Sequence, residues 1–300
     1  MKKRILLFVF ILCAIKMSAQ DYKIGTTSAL WESPNAKEFI EAKKNGIEYI
    51  EVALNKCYRG VPIEEVVTCV FEMKEKIDSA DIKVWSMHLP FSKKLDISVL
   101  DSVKRTKNVK FIAGMIELSA MFKPERLVLH ASSEPIADTL REKRIKYAQE
   151  SINILRQYAK KIGAELCVEN LPRTCLGNTP DELLQIIEPF SDVKICFDTN
   201  HYLNEDPLEY IRKLGDKIGT IHVSDYDGIN ECHWIPGDGN IDWGKLVSML
   251  KDVGYEGVFM YETIRNNRNE RVSSLELINS YKLIQNQYNQ YLTKLKIKKP

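Results

Sequence analysis

The stretch Lys194-Ile195-Cys196-Phe197-Asp198-Thr199-Asn200-His201 reads as a short apolar strand that ends by presenting a carboxylate and, three residues on, an imidazole. Cys196 and Asp198 share one side of a strand with a side-chain period of two, and Phe197 takes the other. Such an ending has the makings of a metal or proton-transfer site, whereas taken alone it could equally be a solvated Asp beside a chance His. Other stretches repeat the arrangement. Apolar runs at 83–90, 126–131 and 219–224 carry His88, His130 and His222, and the loop at 225–240 carries Glu231 and His233. Of the five histidines, four sit at or just past expected strand ends, one sits in that loop, and none sits on a helix.

Three carboxylates join them: Glu169, Asp198 and Glu262, each preceded by apolar residues. Burying a carboxylate there is costly unless a cation neutralises it. A salt-bridge network is the structural alternative, but few Lys or Arg lie near these ends, Arg173 being the main one. Three carboxylates and one imidazole around a point can hold a divalent ion and leave positions open for substrate. Mostly oxygen ligands favour Mn²⁺ or Mg²⁺, and added imidazoles move the preference toward Zn²⁺ or Co²⁺.

The elements that must position these groups follow a regular alternation. Strands are expected at 22–27, 47–54, 83–90, 126–131, 166–170, 194–198, 219–224 and 257–263. Helices are expected at 35–45, 62–79, 98–121, 138–161, 181–190, 207–214, 242–252 and 272–294. Near-continuous apolar strands such as LVLH and ICFD suit a parallel sheet covered by helices. Eight such pairs are better explained by a closed α/β (β/α)8 barrel than by an open sheet, and no glycine-rich phosphate loop follows the first strand. In a barrel the strand C-termini converge on one face, where catalytic groups collect.

The joint order of several motifs resembles the xylose-isomerase-like TIM-barrel superfamily of sugar isomerases and epimerases. The motifs are Val168-Glu169-Asn170, Phe197-Asp198-Thr199-Asn200-His201, Ile221-His222-Val223-Ser224-Asp225, HWIPGDG at 233–239 followed by Ile241-Asp242-Trp243, and Tyr261-Glu262. The resemblance implies that Glu169, Asp198, His222 and Glu262 hold one divalent metal, with Glu169 and Glu262 also serving as acid and base. It implies that His201 contacts substrate oxygens; His88, His233 and Arg173 are read from the residues themselves as further substrate-binding candidates. The endonuclease IV-like branch, which uses three zinc ions, can be laid on the same residues with His130 and Glu231 as additional ligands. This chain departs from that branch at Glu231, where Asp is usual, and at Cys232, where Arg is usual.

Composition bounds the reading. Lys2-Lys3-Arg4, the apolar run 5–15 and Met17-Ser18-Ala19 form an expected signal peptide at 1–19, too short for a comfortable membrane span. The mature chain, 20–300, is long enough for one large α/β domain, expected to be exported, periplasmic or secreted. A formal charge of +2 gives no basic stripe for nucleic acid. Six cysteines follow the leader (Cys57, Cys69, Cys167, Cys175, Cys196 and Cys232), with no CxxC pair, so most are expected to be free and buried. The expected activity is metal-dependent isomerisation or epimerisation of a small carbohydrate, through proton abstraction beside a carbonyl and an enediolate. A lyase eliminating from a keto-glycoside, a zinc nuclease and a non-enzymatic sugar-binding barrel are the alternatives. No nucleic-acid partner and no membrane span after leader removal are expected, and a homo-oligomer is among the admissible states.

Overall fold

The computed structural model describes residues 21–58, 60–202 and 206–297; the expected signal peptide lies outside them. Among the described residues, eight parallel strands alternate with eight α-helices. The strands are β1 (Ile24–Thr27), β2 (Tyr49–Ala53), β3 (Lys83–His88), β4 (Arg126–Leu129), β5 (Glu165–Glu169), β6 (Val193–Asp198), β7 (Ile218–His222) and β8 (Phe259–Tyr261). The helices are α1 (Ala36–Asn45), α2 (Ile63–Asp78), α3 (Ser102–Ser119), α4 (Arg141–Lys161), α5 (Pro180–Ile187), α6 (Pro207–Leu214), α7 (Trp243–Asp252) and α8 (Ser274–Ile297). From β1 to β7 each strand pairs with the next, and β1 also pairs with β8. The remaining seam, between β7 and β8, is closed just beyond β7 by Val223, whose N–H donates to Met260 O and whose carbonyl accepts from Glu262 N. The result is the expected (β/α)8 TIM barrel.

Local chemistry accounts for the element ends. Asn35 and Glu38 cap the start of α1 reciprocally, and Gly46 ends the helix at φ 110°, in the left-handed region open to glycine. α3 starts at Ser102, under an Asp101 cap, rather than near 98. The preceding residues are committed to tertiary bonds: Asp96 accepts from Ser98 N and Ser133 N and pairs with Arg144. That buried network ties the loop after β3 to α4 and to the loop after β4.

The apolar core divides in two. Ile50, Val52, Leu166, Val168, Ile195 and Phe197 face the helices. Alternate residues point into the barrel, where Tyr49, Trp85, Val258 and Met260 form one cluster and Val128, Cys167 and Cys196 another. Cys167 and Cys196 thus point inward from neighbouring strands. Cys167, Cys175, Cys196 and Cys232 are free, but Cys57 and Cys69 form a disulfide that ties the β2–α2 loop to α2. A sequence separation of 12 without a CxxC motif hides that pair from spacing alone.

Candidate metal and proton-transfer site

The C-terminal ends of the strands place every singled-out residue around one cavity or directly beneath it. Glu169 ends β5, Asp198 ends β6, His222 ends β7, and Glu262 follows β8. One ligand atom from each of these four lies within 4.8 Å of the others. Glu169 Oε1 is 3.2 Å and Glu262 Oε2 2.9 Å from His222 Nδ1, and Asp198 Oδ2 is 3.8 Å from it. Asp198 and His222 are completely buried, and the Glu262 side chain is 20% exposed to the cavity. Asp198 Oδ2 is buried without a hydrogen-bond partner, and Glu262 Oε2, although 2.9 Å from His222 Nδ1, does not meet it in hydrogen-bond geometry. Convergent, unsatisfied carboxylate oxygens around one imidazole nitrogen are what a divalent cation would satisfy. The residues fit such an ion.

The electrostatics agree. Burial opposes the imidazolium of His222, but Cys196, Glu262, Glu51 and Glu169 hold its pKa well above the usual histidine value. Burial would raise Glu169, yet His130 and His222 hold it well below the carboxylate range. Asp198 is pushed up to about 7, chiefly by burial, with His201 opposing and Glu262 and Glu169 adding. Without a cation, burial moves His130 down, whereas the upward shifts of His222, His201 and Asp198 offset the crowded carboxylates. A metal would take over that role.

The surrounding polar residues hold the strand ends in place. Asn170 clamps Asp198 through both backbone groups, accepting from its N–H at 2.6 Å and donating to its carbonyl at 3.0 Å. Thr199 Oγ1 donates to Ser224 O and accepts from Ser224 N, joining the ends of β6 and β7. The GDG loop is organised by the buried Asp225, which accepts from Gly237 N, Ile241 N and Trp243 Nε1. A Cβ at Gly239 would lie 2.3 Å from Asp225 Oδ1 and from Tyr226 O, so only glycine fits there.

The other histidines form two flanking groups. His88 Nε2 and His130 Nε2 approach Glu169 Oε2 at 3.2 and 2.9 Å, and Phe91 stacks on His130 with ring centroids 3.9 Å apart. His201 Nδ1–H donates to Asn170 O, and its Nε2 lies 3.4 Å from Glu231 Oε1. His233 Nε2 lies at the same distance from that oxygen. Each flanking group, His88-His130-Glu169 and His201-Glu231-His233, also brings three ligand atoms within 4.8 Å of one another. Arg173 lines the cavity, but its guanidinium is engaged by Glu134 and Glu231 and makes no ion pair with the central carboxylates. Glu51 was not among the residues read from sequence as site residues, although it too is a carboxylate in an apolar strand. Its Oε2 lies 2.9 Å from His222 Nε2, beneath the site.

Comparison with known proteins fits this geometry. The model of the xylose isomerase-like TIM barrel matches residues 39–281. Fructoselysine 3-epimerase of Escherichia coli O157:H7 is 33% identical over 130 residues, which is 40% of this chain and 46% of that enzyme. The chain thus spans less than half the length of that relative. The crystal structure of a D-tagatose 3-epimerase-like protein superposes with a TM-score of 0.74 at 22% identity, covering 91% of this chain and 99% of that one. The IOLI protein, solved with a zinc atom, superposes with a TM-score of 0.69 at 19% identity over 90% of this chain and 99% of its own. The match of the family model across most of the barrel, with the fold closed as described, identifies the chain as a member of the xylose isomerase-like TIM-barrel family.

Proposed function

We propose that the protein is a metal-dependent isomerase or epimerase of a small keto sugar, working outside the cytoplasm. The observation that carries this reading is the pair Glu169 and Glu262, which come from different strands and approach the same nitrogen of His222. A divalent ion on Glu169, Asp198, His222 and Glu262 (Mn²⁺, Mg²⁺, Co²⁺ or Zn²⁺) would polarise the sugar carbonyl and lower the pKa of the neighbouring C–H. One of Glu169 and Glu262 removes that proton, and the other returns it on the opposite face or at the adjacent carbon. His201, fixed through its Nδ1–H by Asn170, holds substrate oxygens, with His88, His233 and Arg173 farther out. The cavity, about 270 Å³, suits a single sugar better than a polymer. The Cys57–Cys69 disulfide supports an oxidising compartment, in keeping with the expected leader.

The test uses purified protein with D-tagatose and fructoselysine, the sugars in the names of the two epimerase relatives. The expected result is a new epimer by NMR, lost on exhaustive chelation and restored by Mn²⁺. Turnover that survives chelation would overturn the metal mechanism. A lyase would share the first proton abstraction but release a β-substituent, giving an unsaturated product. The two flanking ligand groups favour one further reading, a three-zinc nuclease. One ion per chain supports sugar chemistry; three zincs with phosphodiester cleavage support the nuclease.

A further inference from the structure

The barrel interior beneath the site holds one carboxylate that the proposed chemistry does not use. Glu51, on β2, is completely buried, and its Oε1 has no partner. The β2–β3 pairing shifts register between Ile50 and Glu51, and Glu51 stands opposite Ser86. Ser86 Oγ donates to Glu51 Oε2 at 2.7 Å, and the same oxygen lies 2.9 Å from His222 Nε2. His222 therefore spans two carboxylate environments, with Nδ1 toward Glu169, Asp198 and Glu262 and Nε2 toward Glu51.

These contacts define a task. Nδ1 can bind a cation only through its lone pair, so the ring proton must sit on Nε2. An oxygen that already accepts from Ser86 is suited to accept that Nε2–H as well. We propose that Glu51 is a positioning residue that selects the Nε2–H tautomer of His222 and thereby aims Nδ1 as a metal ligand. Partners of this kind fix ring orientation and raise ligand basicity. The inference rests on the metal reading above and assigns a role to a residue on the far side of the imidazole from the substrate cavity.

The test compares wild type with Glu51→Gln and Glu51→Met, the second removing every polar atom. Three quantities are read: Mn²⁺ affinity by calorimetry, thermal midpoint of the metal-free protein, and the His222 tautomer by ¹⁵N NMR. Glu51→Met should bind Mn²⁺ roughly 10- to 100-fold more weakly. Its metal-free midpoint should fall, because the Ser86 hydroxyl and the His222 ring both lose their acceptor, so affinity and tautomer are read below that midpoint. In metal-free protein at a pH where His222 is neutral, wild type should show the Nε2–H form and Glu51→Met a mixture. Glu51→Gln keeps the shape and should fold even if Glu51→Met does not; its amide can accept or donate, so an intermediate affinity is expected. Wild-type affinity in either folded variant, or an unchanged tautomer in Glu51→Met, would overturn the assignment. If the wild-type protein binds no Mn²⁺, the metal reading fails separately, and the tautomer measurement still decides the role of Glu51.

Discussion

At the residue scale, His201 is the side chain proposed to hold substrate rather than the central metal. It is 6% exposed, its Nδ1–H is spent on Asn170 O, and Nδ1 stands 3.5 and 3.6 Å from the nearest oxygens of Glu169 and Asp198. It lies outside the group formed by Glu169, Asp198, His222 and Glu262. His201→Ala should therefore keep its metal, read by elemental analysis, while turnover falls by on the order of 10²-fold or more. Loss of metal from that variant would instead place His201 among the ligands. The motif residues were legible because each carboxylate or imidazole interrupts an apolar run at its end. Glu51 was harder to read because Tyr49 shares its inward side, so no polar stripe marks that side of the strand.

At the scale of elements, the alternation of apolar runs and capped helices was enough to order the barrel, and the ends moved by a few residues where tertiary bonds competed. The strand expected at 257–263 shortens to Phe259–Tyr261, yet Glu262 N still bonds Val223 O, so the seam closes where the site begins. The start of α3 was misplaced because the engagement of Asp96 with Ser133 and Arg144 is a long-range contact that periodicity cannot show. The loop 225–240 was read as a loop carrying Glu231, His233 and the HWIPGDG motif, without its internal bonds. Its order comes from Asp225, which the GDG glycines allow to approach the backbone. Gly239→Ala tests that packing: the added methyl must displace Asp225 or Tyr226, with a cost of about 1–3 kcal/mol. The expected readout is a lower thermal midpoint together with weakened substrate binding, because the same loop carries Glu231 and His233. An unchanged midpoint would show that the loop moves freely.

For the whole molecule, the site is a concentration of buried charge that folding must tolerate. Among the described residues, the central carboxylates meet histidines rather than Lys or Arg, so a cation bound only by the folded state should stabilise the entire barrel. Mn²⁺ at about 100 times its dissociation constant should add about 2.7 kcal/mol, seen as a rise in thermal midpoint that chelation reverses. No rise would mean that the histidine protons alone balance the site. The central claim, however, is that the two opposed glutamates move a carbon-bound proton. The most direct measurement is deuterium incorporation into D-tagatose or fructoselysine by Mn²⁺-loaded protein in D₂O, with wild type compared against Glu262→Gln. The amide keeps an oxygen near the metal position but cannot act as a base. Wild type should place deuterium on one carbon beside the carbonyl, and Glu262→Gln should slow that exchange by on the order of 10²- to 10⁴-fold while remaining folded and metal-loaded. Undiminished exchange in the folded, metal-loaded variant would remove Glu262 from the chemistry, and no exchange by wild type with either sugar would contradict the proposed proton transfer on these substrates.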